Sequence, residues 1–219
     1  MPVTEWFIIK SLTVPSSWIA VLLAILITGL VLWRKFGKTT EVWFSDAVIL
    51  VLLVWKLSVI ITDFKMILNS PLSILYFNGG NIGLYLGLLV ALARLLYQFK
   101  KKGWPVSELV AMIIALVMVQ SLYQFLMVLL NEAALWQKII TVVIFLGITI
   151  LSWLKVAESS VWRIQLIILF LCAHIFVAVI QPEGIVQTPL FITGLFVIAA
   201  VMVYFATNSQ HEYTEGNYE

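Results

Sequence analysis

From Ser45 to Phe64 the chain reads SDAVILVLLVWKLSVIITDF. Between its two aspartates, Asp46 and Asp63, the only charged side chain is Lys56. A run of this length and apolarity matches the hydrocarbon core of a bilayer, which a helix of about 20 residues crosses. The rest of the chain repeats the theme. Further apolar segments fall at about 18–33, 81–99, 107–130, 137–155, 161–180 and 189–206. The whole sequence of 219 residues is 63% hydrophobic and 11% charged, with a mean hydropathy of +1.08. Soluble domains carry roughly 25% charged residues. The expectation is an all-α integral membrane protein with seven transmembrane helices, forming one polytopic domain over 1–208. A polar cytoplasmic tail, 209–219, follows, and it ends in HEYTEGNYE.

The basic residues suggest an orientation. Arg34, Lys35, Lys38, Arg94, Lys100, Lys101, Lys102, Lys155 and Arg163 fall on one side when spans alternate, and Lys10, Lys65 and Lys138 on the other. Basic residues accumulate in cytoplasmic connections, so the N-terminus is expected outside and the C-terminus inside. MPVTEWFIIK lacks the basic start and cleavage site of a signal peptide, so the first span reads as a retained helix. The formal net charge of +2 argues against a nucleic-acid partner. The one cysteine, Cys172, excludes an intramolecular disulfide and a CxxC redox pair.

Between the second and third segments lies KMILNSPLSILYFNGG, residues 65–80. PLSILYF is too short to span and reads as an amphipathic or re-entrant piece at the outer surface. Pro71 suits the first turn of a short helix capped by Ser70. Asn78, Gly79 and Gly80 suit a turn with positive φ. Gly83 and Gly87 have the GxxxG spacing that lets helices approach closely.

Polar side chains at depth are the candidate site. Lys56 is about eleven residues into its segment, about 16 Å at helical rise and near the midplane. A charge there costs about 3 kcal/mol by insertion scales and usually marks function. Gln120, Tyr123 and Gln124 share one helical face, Tyr85 enters from the outer side, and His174 sits mid-segment. A cation among neutral neighbours, with Asn78, Gly79 and Gly80 at its mouth, suits an anionic guest such as a phospholipid phosphate. The bland alternatives are a snorkelling Lys56, glutamines acting as interhelical glue, and a packing histidine at 174. No metal cluster, phosphate loop or catalytic triad can be read from spacing, and no cofactor is implied. A small-solute transporter is a further reading; the absence of an evident internal repeat counts against it.

The stretches SDAVILVLLVWKLSVI, NSPLSILYFNGG, LARLLYQFKKKG and SELVAMIIALVMVQ resemble the prolipoprotein diacylglyceryl transferase family, over roughly residues 10–132. That resemblance implies a seven-span transferase-like bundle in the bacterial cytoplasmic membrane and a place in lipoprotein biosynthesis. It implies phosphatidylglycerol as the lipid, and a lipoprotein or another membrane protein as partner. Lys56 stands where the family has an Arg. The family's catalytic His falls at Leu84, and its span-four Arg at Leu122 or Gln124; Asn131 and Glu132 alone echo the end of that motif. Thiol transfer needs a base for a group of pKa near 8.5 and positive charge at the phosphate. The departures imply a non-catalytic relative with a lipid- or lipoprotein-binding accessory role. The alternative is a divergent transferase using His174 as base.

Overall fold

The computed structural model describes residues 1–10, 12–102 and 105–215. Among these residues the protein is all-α apart from one N-terminal hairpin, and six helices are long and apolar enough to cross a membrane. It divides into two compact units, Met1–Gly37 with Pro105–Glu219, and Lys38–Trp104.

The first unit opens with β1 (Trp6–Ile9) and β2 (Leu12–Pro15), antiparallel with Trp6 opposite Pro15 and Ile9 opposite Leu12. α1 (Ser16–Phe36) follows directly. Its buried residues are Ser16, Ala20, Ala24, Thr28 and Leu32, one every fourth position. That spacing puts them in a single row, and the small members let α1 lie close against α6 (Val106–Leu130). Close approach matters here because lipid provides no hydrophobic drive between helices, so packing contact has to hold them.

α6 is the hub. Half of its apolar window is buried, against 22–33% for α1, α7 (Leu135–Lys155) and α8 (Ser160–Ile180). It also meets α9 (Thr188–Glu215). The apolar stretch of α9, Thr188–Val203, is shorter than the six long spans. α9 continues past residue 208, where a polar tail was expected to begin; residues 216–219 lie outside the described residues.

The second unit is a helical hairpin. α2 (Lys38–Leu57) breaks at Ser58 and resumes as the single turn α3 (Val59–Thr62), the two making one span of 25 residues. α4 (Phe64–Asn69) and a 3-10 turn (Pro71–Leu75) lead into α5 (Gly80–Lys102). α2 and α5 run antiparallel along a glycine seam. A Cβ placed on Gly83 would stand 2.0 Å from Ser58 Oγ and 3.1 Å from the Trp55 carbonyl oxygen. One placed on Gly87 would stand 2.7 Å from the Val51 carbonyl oxygen. The GxxxG spacing therefore does serve close packing, with α2 as the partner. Further along, Arg94 Nη2 meets Asp46 Oδ2 at 3.1 Å, both about half exposed.

Candidate functional site

The residues singled out from sequence fall in two groups, one in each unit.

In the second unit Lys56, Asn78, Gly79 and Gly80 gather around the end of α2. Lys56 Nζ donates to the Leu75 carbonyl at 2.8 Å. Trp55 Nε1 donates to the Gly80 carbonyl at 2.9 Å, and the Gly79 N–H donates to the Trp55 carbonyl at 3.1 Å. Asn78 Oδ1 accepts from the Gly80 N–H at 2.9 Å, and Gly80 has φ +56°. The expected turn is there, locked by the asparagine side chain. The cap differs from expectation. Ser70 closes the 3-10 turn through its backbone carbonyl, which accepts from the Ser73 N–H at 2.9 Å, and makes no side-chain cap bond. Tyr85 is half-buried on α5.

The apolar helix that carries Lys56 runs Lys38–Thr62, so Lys56 stands six residues past the middle of that helix, about 9 Å toward its Thr62 end. The helix begins before residue 45 because the first turns KTTEVWF, amphipathic in sequence, are helical too. Asp63, two turns further along, accepts instead from Thr62 Oγ1 at 2.8 Å. Within this unit no described carboxylate pairs with Lys56. Its ammonium thus has one carbonyl partner and no counter-ion there.

In the first unit Gln124 and His174 join a buried polar chain. Gln181 Nε2 donates to Gln124 Oε1 at 3.5 Å and to Thr141 Oγ1 at 3.4 Å. Gln124 Nε2 lies 3.3 Å from His174 Nε2, and His174 Nδ1 lies 2.9 Å from Thr193 Oγ1. An amide nitrogen can only donate, so Nε2 of the histidine accepts and Nδ1 carries the proton. The imidazole is 0% exposed, and Phe145 meets it edge-on at 5.2 Å. Both ring nitrogens are occupied, which is the arrangement of a satisfied packing histidine. Gln120 Nε2 donates to the Pro189 carbonyl at 3.3 Å, tying α6 to the start of α9. Tyr123 is half-buried against a cluster of Met1, Ala20, Met127 and Val128.

Sequence reading passed over Asn131 except as an echo of a family motif. It is buried at the end of α6, and its Oδ1 accepts from the Thr4 N–H (2.8 Å), the Glu5 N–H (3.3 Å), Ser16 Oγ (2.7 Å) and Thr4 Oγ1 (3.4 Å). Thr4 Oγ1 in turn accepts from the Glu132 N–H at 2.8 Å. Beyond this clamp the Met1 amine donates to Gln181 Oε1 at 2.7 Å. Burial pushes that amine below its ordinary pKa, and the charge of Glu183 pulls the other way. Among the described residues no group of His, Cys, Asp and Glu is placed to hold a metal ion.

Comparison with family models, with curated proteins and with solved structures finds no match to this chain.

Proposed function

We propose that the protein is a seven-span protein of the bacterial cytoplasmic membrane, N-terminus outside and C-terminus inside, that holds an anionic phospholipid without catalysing diacylglyceryl transfer. One observation carries the lipid reading. Lys56 is fixed to the Leu75 carbonyl near the end of its span, with no carboxylate in its unit to neutralise it. A charge in that position is stabilised by an anionic group, and a phospholipid phosphate is the anion a bilayer supplies. The turn at Asn78–Gly80 supports the reading by fixing the connection beside it. Phosphatidylglycerol is the lipid of choice on the family resemblance, and a lipoprotein or another membrane protein is the natural partner.

The non-catalytic reading is supported by Leu84 at the position of the family's histidine and by the enclosure of His174, whose two ring nitrogens are already bonded. On this reading the anion belongs to Lys56 in the second unit, and Gln120, Tyr123 and Gln124 serve packing within the first.

The test is lipid retention. The protein is purified in mild detergent and its bound lipids are weighed by native mass spectrometry against those of Lys56→Gln. Enrichment of phosphatidylglycerol over the host membrane, lost in the variant, is expected. Equal lipid profiles for the two proteins would overturn the assignment. Restoration of lipoprotein modification in a transferase-depleted strain, dependent on His174, would overturn the non-catalytic part.

A further inference from the structure

The first five residues belong to no helix or strand, yet residue 1 is buried. Met1 is 4% exposed and clusters with Ala20 of α1 and with Met127 and Val128 of α6. Val3, Tyr123 and Val142 of α7 pack against that cluster. The Met1 nitrogen donates to Gln181 Oε1, where α8 ends. Residue 1 therefore sits among four helices, at the end of the first unit where α1 and α7 begin and α6 and α8 finish.

Behind it lies the buried polar chain. Gln181 turns its Nε2 inward to Gln124 Oε1 and Thr141 Oγ1, and Gln124 leads on to His174 and Thr193. Those four inner residues are fully buried. Thr141 stands six residues from the start of α7 and His174 six from the end of α8, so both are about 9 Å deep. Gln181 is the link nearest the mouth, and Met1 is its partner on that side. The arm is lightly held. Thr4 and Glu5 are exposed, and their bonds to the end of α6 run through the side chains of Asn131 and Thr4 alone. A segment with so few contacts opens locally without the helices unfolding. Its departure leaves Gln181 Oε1 without a donor, and a buried acceptor so exposed is satisfied by water. We propose that residues 1–5 are a strap that closes the mouth of this polar chain, and that its release admits water as far as Thr141. The inference goes beyond the lipid reading and does not depend on it, since Lys56 belongs to the other unit.

The experiment uses the full chain in nanodiscs, whose two faces both meet buffer. Cys172 is exposed and is first replaced by Ser. Single thiols are then placed by Thr141→Cys beneath the strap, by Ser152→Cys, buried near the opposite end of α7, and by Glu183→Cys as an exposed reference. Each is reacted with a methanethiosulfonate carrying a fixed quaternary ammonium, which lipid excludes. With the strap in place, the thiols at 141 and 152 are expected to react far more slowly than that at 183. Deleting Pro2, Val3 and Thr4 takes about 10 Å of reach from residue 1, while the Glu5 carbonyl stays bonded to the Ser16 N–H. The rate at 141 is then expected to rise at least about tenfold, with that at 152 unchanged. Thr4→Val removes one exposed hydroxyl and leaves every helix whole. It is expected to raise the rate at 141 severalfold, and it carries the comparison if the deleted protein does not fold. An unchanged rate at 141 would mean that the arm covers no route to the chain. An equal rise at 152 would mean general loosening. Either result overturns the proposal.

Discussion

Replacing Gly87 by Ala sets one methyl group against backbone. The new Cβ would lie 2.7 Å from the Val51 carbonyl oxygen and 3.3 Å from Val51 Cα, where ordinary contact begins at about 3.4 Å. A carbonyl inside a helix cannot turn aside, so α5 must withdraw from α2 by about 0.7 Å, loosening the whole seam. Overpacking of this kind costs about 1–3 kcal/mol. Alanine returns about 1 kcal/mol of helix propensity, leaving a net loss of about 0–2 kcal/mol, and a deficit of about 1–3 kcal/mol against an alanine placed at an uncrowded helical glycine. Gly83→Ala presses mainly on Ser58 Oγ, the end of a side chain that can swing away, and it is expected to lose about 1 kcal/mol or less. Most of that returns in Gly83→Ala with Ser58→Ala. Gly147, on α7, has nothing within 4 Å of its notional Cβ, and Gly147→Ala is expected to be neutral or slightly stabilising. Unfolding in mixed micelles, titrated with a denaturing detergent and followed by tryptophan fluorescence, ranks the four proteins. If Gly87→Ala unfolds with Gly147→Ala, the seam is not the close contact described.

Asn131→Ala removes the shared acceptor of four donors, two of them backbone N–H groups. A loss of about 2 kcal/mol or more is expected, read as faster hydrogen exchange at Thr4 and Glu5 and earlier proteolysis of the N-terminal arm; unchanged protection would refute the clamp. Thr28→Val and Thr149→Val are expected to differ in sign. Thr28 Oγ1 is buried with no partner, so its removal stabilises by about 1 kcal/mol, whereas Thr149 Oγ1 donates to the Phe145 carbonyl at 2.7 Å and accepts from Ser121 Oγ at 2.9 Å, and its removal destabilises by about 0.6 kcal/mol. The same detergent titration checks both. His174→Ala is expected to destabilise by about 2–4 kcal/mol through lost packing and two broken hydrogen bonds; an unaltered transition would mean that the buried chain contributes nothing.

Much of the architecture was legible because lipid leaves so few options. Apolar runs of the right length gave the six long spans, with ends shifted by a few residues wherever an amphipathic first turn, such as KTTEVWF, read as loop. The Asn78–Gly80 turn and the Gly83–Gly87 contact were legible because glycine at fixed spacing has few other uses. Two kinds of fact were hidden. The partner of Lys56 is a backbone carbonyl, and every residue carries one, so no residue type announces it. The row Ser16, Ala20, Ala24 and Thr28 was present in the sequence at a spacing of four, but small residues are common enough in spans that only the facing helix identifies them as an interface. The hairpin was missed for a related reason. Its strands, WFII and LTVP, are only four residues long, too brief for an alternating pattern to stand out.

The pairing of α1 with α6 sets an order of assembly. α6 begins at Val106 and α1 ends at Phe36, so the partner of the small-residue row on α1 is made only after the entire α2–α5 hairpin. That hairpin needs nothing from later sequence to close its glycine seam, and closing the shorter loop costs less entropy. The second unit is therefore expected to form first during synthesis, and the first unit to complete itself around α6 only when that hub emerges.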